Sequence, residues 1–194
     1  MLEARLRRVS LLLSRTGGGM LLAAALLVAV EVTLRKTNIA VFSLGTELSS
    51  YALAVGATWA FAHVVFERAH VRVDVATQRL APLPRAVFDV VAMASLAVFG
   101  TFLCMGAWNT FHASLLTGTI SNTSLAIPLA IPQGLWLFGI GWFTLIAFYC
   151  TLTAAAALAR RDLAEVSRIA APPSVDEEIS QAAGDIGEHP KAAT

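Results

Sequence analysis

From Val90 to Ala159 the chain runs for 70 residues without an Asp, Glu, Lys or Arg. A soluble domain of this size has too much surface to go so long uncharged, and such domains carry about a quarter charged residues. Here 14% are charged and 57% are apolar. A membrane-spanning helix takes about 20 residues at a rise of about 1.5 Å each, so the run holds two spans and their connection. The first half repeats the pattern with interruptions. The expected fold is therefore all-α and integral to a membrane, with four spans near residues 17–34, 47–66, 86–111 and 132–158. This membrane domain, 17–158, is preceded by a basic segment, 1–16, and followed by a tail, 159–194.

The net charge of +1 conceals a segregated pattern. Arg5, Arg7, Arg8 and Arg15 precede the first span, Arg68, Arg72, Arg79 and Arg85 lie between the second and third, and Arg160 and Arg161 open the tail. The first connection has only Arg35 and Lys36, and the third has no charge. Positive residues stay cytoplasmic, which predicts both termini inside. A signal peptide is the competing reading of the N-terminus. The apolar stretch from Gly17 to Leu34 is long for one and ends in Arg35 and Lys36 without a small-residue cleavage site, so an uncleaved first span is expected.

Leu2, Leu6, Val9 and Leu13 recur at helical spacing among arginines, which predicts an N-terminal amphipathic helix lying on the membrane surface. Gly17, Gly18 and Gly19 would supply the bend into the first span. The tail, with Pro172 and Pro173 followed by Asp176, Glu177 and Glu178, has few large apolar groups and is expected to be disordered.

Four histidines raise the idea of haem held between helices. The predicted topology separates His63, near the inner end of the second span, from His112, near the outer end of the third. His70 falls in a connection and His189 in the tail. Cys104 and Cys150 sit at different depths, too far apart for a disulfide. The carboxylates Glu31, Glu47 and Asp89 fall near span ends, and Glu31 and Asp89 each have an arginine four residues away. Mid-membrane ionisable groups, the usual sign of a transport pathway, are not expected. No catalytic, cofactor-binding or metal-ligating set emerges, and neither a cofactor nor a nucleic-acid partner is expected. Ala52, Gly56 and Ala60 recur every four residues and form a strip for close helix packing, within the chain or against a partner. Residues 117–124 are polar but uncharged, suited to a hairpin lying against the membrane or another protein.

Several spaced residues carry a resemblance to a known family. They are Arg35 and Asn38 after the first span, Glu47 and Tyr51 opening the second, and His70, Arg72 and Asp74 in the inner connection. Leu83-Pro84-Arg85 precedes the third span, and Ile127-Pro128-Leu129-Ala130-Ile131-Pro132-Gln133 leads to Trp136 and Gly139. Over about residues 20–158 the chain resembles the small, DctQ-type membrane subunit of tripartite ATP-independent periplasmic (TRAP) transporters. The resemblance implies a prokaryotic cytoplasmic-membrane complex with two partners, a large multi-helix membrane subunit and a periplasmic substrate-binding protein, within membrane lipid. It implies sodium-coupled import of an organic anion, with the substrate and sodium sites on the large subunit and this chain bracing its scaffold. Arg35, Asn38, Glu47 and Tyr51 are then expected to form a hydrogen-bonded cluster at the outer end of the first two helices, and Arg72 and Asp74 to pair in a structured inner turn. A free-standing four-helix channel or export protein, and a membrane-embedded enzyme or electron carrier, are the alternatives.

Overall fold

The computed structural model describes residues 2–37, 44–68, 81–123 and 125–171. They form five helices, α1 (Leu2–Lys36), α2 (Leu44–Phe66), α3 (Pro82–Thr117), α4 (Ala130–Ala159) and α5 (Leu163–Ala170). The first four are long and apolar enough to cross a membrane, as the uncharged runs predict. Their ends follow local chemistry. Proline stands in the first turn of α3, where no backbone donor is lost, and Gly118 closes that helix at φ 61°, its N–H donating to the Ser114 carbonyl. Asp162 caps α5 by accepting from the Glu165 N–H at 3.1 Å.

Two expectations meet a different structure. Residues 2–36 are one unbroken helix of 35 residues, so no bend separates a surface segment 1–16 from a span beginning at Gly17. The reason lies in packing. A methyl group on Gly17 would come within 2.6 Å of the Gly56 carbonyl oxygen, and one on Gly56 within 2.8 Å of the Gly17 oxygen. The glycine lets two backbones touch instead of letting one backbone turn. Likewise, the expected tail 159–194 is not uniformly disordered, because Leu163–Ala170 is a helix whose Val166 and Ala170 are buried. Residues 172–194 lie outside those described.

The helices stand in a row rather than a closed bundle. α1 packs on α2, α2 on α4, and α4 on α3, while α5 folds back against α3 and α4. Trp59 Nε1 donates to the Leu135 carbonyl at 3.0 Å and the Phe61 and Phe143 rings meet edge-on at 5.8 Å, so α2 and α4 run parallel. The interior of the row is built from small residues, among them Ala52, Ala62, Ala97, Ala147 and Ala154, with Met93, Phe143 and Ile146 filling between. Bulky groups such as Phe88, Phe99, Phe102, Trp108, Leu116 and Leu152 point outward. Such an arrangement suits lipid, where helices gain from close backbone approach and lose nothing by exposing Phe and Leu. In water it would present an apolar surface far larger than soluble monomers tolerate.

Candidate partner-contact and helix-locking sites

At the end of the row where α1 finishes and α2 begins, two carboxylates fasten the connections. Glu31 on α1 accepts from Arg35 at 2.8 Å and from the Gly45 N–H at the start of α2. Glu47, one turn into α2 and buried, accepts from the Tyr51 hydroxyl at 2.7 Å through one oxygen and from the Thr123 hydroxyl through the other. Thr123 also meets the Ser121 hydroxyl at 2.9 Å. Both residues belong to the connection between α3 and α4, which folds as a hairpin: Ile120 pairs with Pro128, the Ser121 N–H donates to the Ile127 carbonyl and the Leu129 N–H to that of Thr119.

Of the sequence-derived set, Glu47 and Tyr51 are thus joined, Arg35 is bound to Glu31, and Asn38 lies outside the described residues. His70, Arg72 and Asp74 also lie outside them. Ala52 and Gly56 face α1, and Ala60 is only partly covered. Pro128 belongs to the hairpin, Pro132 to the first turn of α4, and Trp136 is half-buried on the next turn. Between α1, α2 and the start of α4 opens an apolar groove of about 390 Å³, lined by Ala24, Leu27, Tyr51, Ala52, Val55 and Pro132 among others. The anchoring of Glu47 by Ser121 and Thr123 leaves no periodic or local signal in the sequence. Only the polar, uncharged character of residues 117–124 points toward it.

The opposite end carries the arginines. Arg7 pairs with Glu67 at 3.2 Å and donates to the Phe66 carbonyl, tying α1 to the end of α2. Arg168 on α5 binds Glu165 at 2.7 Å and reaches Glu3 on α1 at 3.5 Å. Arg68 donates to the Ala171 carbonyl. A cavity of about 340 Å³ lies among these groups with Tyr149, Cys150 and Thr153. The hydrogen bonds from Arg168 hold the Glu165 carboxyl below its usual value, and Glu165 in turn raises the Arg168 guanidinium. These pairs are largely exposed and screened by solvent, so they fix geometry more than they stabilise the fold. Deeper in the row, Trp142 Nε1 donates to the hydroxyl of Ser10 at 3.0 Å, which satisfies a polar group buried in apolar surroundings.

His63 and His112 stand toward opposite ends of the row, and His112 stacks on Trp108. Among the described residues no cluster of His, Cys, Asp and Glu could hold a metal, and Cys104 and Cys150 are free thiols. The His63 Nδ1 and Gln133 Oε1 atoms are buried without a hydrogen-bond partner.

One charge stands away from both polar ends of the row. Gly17 meets Gly56 halfway along α2, so Arg15, two residues away, stands level with the middle of a spanning helix. The unbroken course of α1 carries it alongside α2 instead of into a separate segment. Arg15 is exposed. In hydrocarbon such a residue costs at least about 2.5 kcal/mol unless it is matched or drawn to an interface.

No curated protein and no solved structure matches this chain. A family match covers residues 24–160, well over half of the chain, under the description "Tripartite ATP-independent periplasmic transporters, DctQ component". That family is a transporter component and not an enzyme family, and the four apolar helices make the protein a multi-pass membrane protein. Its hairpin, its second, third and fourth helices and its paired Glu47 and Tyr51 fall within the matched region, and the chain belongs to the DctQ-component family of TRAP transporters.

Proposed function

We propose that this chain is the small scaffold subunit of a TRAP transporter, bracing a large elevator subunit during sodium-coupled import of an organic anion. A periplasmic binding protein delivers the anion, which has carboxylate chemistry. The complex lies in the cytoplasmic membrane with both termini of this chain inside, the arginine-rich end of the row facing the cytoplasm. The observation that carries this reading is the open row of helices, with small residues inside and bulky apolar groups outside, fastened at each end by saturated polar clusters. A row has two broad faces and two free edges to offer a partner, while Glu31, Glu47, Arg7 and Arg168 at its two ends are occupied in holding helices together. Substrate and sodium belong to the large subunit.

Coexpression with the neighbouring genes tests the proposal. The chain is expected to copurify with a membrane protein of roughly twelve helices, and uptake into liposomes to need that protein and a periplasmic binding protein together. Uptake of an organic acid by this chain alone would overturn the brace reading in favour of a free-standing channel.

A further inference from the structure

Arg15 belongs to a stripe on α1 that faces away from every other helix. Arg8, Leu12, Arg15, Gly19, Leu22 and Leu26 follow one another at spacings of three and four, and all are exposed. The opposite stripe of α1 carries Ser10, Gly17 and Ala24, which are buried against the rest of the row. Residues so spaced share one face of the helix, and from Gly19 to Leu26 that face is small or apolar, as a face that packs a second membrane helix is. A side chain built at Gly19 would meet nothing within 4 Å, so a neighbouring backbone can come close at the centre of the stripe. α1 is also an edge of the row, with α2 on one side and no packed helix on the other among the described residues.

Charge says what lies there. Arg15 is level with the middle of α2, and eight residues, or about 12 Å along the helix, separate it from Arg7 at the basic end. Among the described residues no hydrogen bond or ion pair engages it. A cation on a lipid-facing helix at that distance from the basic end is drawn to the interface, lines a polar cavity or pairs with an anion. Once a second helix covers it, a guanidinium is matched best by a carboxylate held in two parallel hydrogen bonds. We propose that the outward face of α1 docks a transmembrane helix of the large subunit, and that this helix carries an Asp or Glu at the depth of Arg15. The partner's identity rests on the function proposed above. The seam and the need for a buried anion rest on α1 alone. A lipid phosphate drawn inward to Arg15 is the competing occupant, and it would make no use of the seam above Arg15, from Gly19 to Leu26.

The test uses the coexpressed complex. A photoreactive amino acid is placed at Leu12 or Gly19, with Phe102 on α3, the far edge of the row, for comparison. Separately, Arg15→Glu and Arg15→Lys are compared at equal amounts of the chain in the membrane. The expected result is crosslinking to the large subunit from Leu12 and Gly19 and not from Phe102, recovery of the large subunit reduced about tenfold or more by Arg15→Glu, and recovery close to wild type with Arg15→Lys. If the wild-type chain brings the large subunit down but Leu12 and Gly19 crosslink to lipid alone, the docking face is overturned while the scaffold reading stands. Crosslinks to the large subunit with no effect of Arg15→Glu overturn the carboxylate. A wild-type chain that brings down no large subunit overturns the scaffold reading and this proposal with it.

Discussion

At the end of the row opposite the arginines, Glu47 holds two separate segments together. Its two oxygens join Tyr51 on its own helix to Thr123 in the hairpin 76 residues away. Hydrogen bonds to a charged group contribute about 1.5–3 kcal/mol, and a donor left unpaired costs more than one replaced. Glu47→Ala is therefore expected to lower the stability of the purified chain by about 2–3 kcal/mol, and Tyr51→Phe by about 1–2 kcal/mol, measured by thermal unfolding in one detergent. Equal losses for both would mean that Thr123 contributes nothing. Gly139 is constrained by space instead of charge. A methyl there would sit 2.6 Å from Thr58 Oγ1 and 2.7 Å from the Trp59 ring. Gly139→Ala is expected to push α2 and α4 apart at a cost of about 1–3 kcal/mol and to weaken the bond from Trp59 to the Leu135 carbonyl, which a shift in tryptophan fluorescence would report. The pairing of Glu47 with Tyr51 was legible because residues four apart share a helix face. Its pairing with Thr123 was not, since nothing local ties a hairpin to the start of a helix so far away. The depth of Arg15 was equally hidden, because three consecutive glycines fit a bend and a close contact alike.

Among the elements, the four spans were legible in the uncharged runs, because lipid forbids unpaired charge over about 20 residues and sets helix length. Helix ends extended beyond those runs wherever polar residues continue a helix outside the hydrocarbon. α5 leaves no mark in the hydropathy, although Asp162 and Glu165 form a capping pattern. Eight residues bury too little to announce themselves, and the packing of Val166 and Ala170 on α3 and α4 decides the matter. Two consequences follow for the basic end. Arg161 links α4 to α5 at φ 57°, with the Asp162 N–H donating to the Ala157 carbonyl and the Arg161 N–H to that of Leu158. This is the left-handed cap that glycine usually fills. Arg161→Gly is expected to stabilise the turn by about 1 kcal/mol, raising the melting temperature without altering assembly. The second concerns acid. The hydrogen bonds from Arg168 hold the Glu165 carboxyl below the ordinary glutamate range, so this contact stabilises α5 at any pH above that range and is lost as pH falls through the lower folded value. Amide signals of α5 in micelles should keep their positions from neutral pH down to about 5 and move only in stronger acid. Movement between pH 6 and 8 would point to another group.

For the whole molecule, the row of helices has a consequence that a closed bundle would not. The buried clusters join α2, α3, α4 and α5, whereas α1 is held along one side by α2 and at its N-terminal end by Glu3, Arg7 and Ser10. The edge helix should therefore be the first to loosen when the chain is purified alone. A partner that binds only the folded row stabilises it by mass action, about 2.7 kcal/mol at a hundredfold excess over the dissociation constant, and the gain falls first on the element it covers. A fluorophore on α1 is expected to report a lower unfolding midpoint than one on α4 in the isolated chain, and the two midpoints to converge in the complex. Detergent acts on every lipid-facing surface alike and would raise both together. Convergence in the complex alone would therefore locate the brace contact at the α1 edge, whereas a gap that survives assembly would place the partner on the α3 edge of the row.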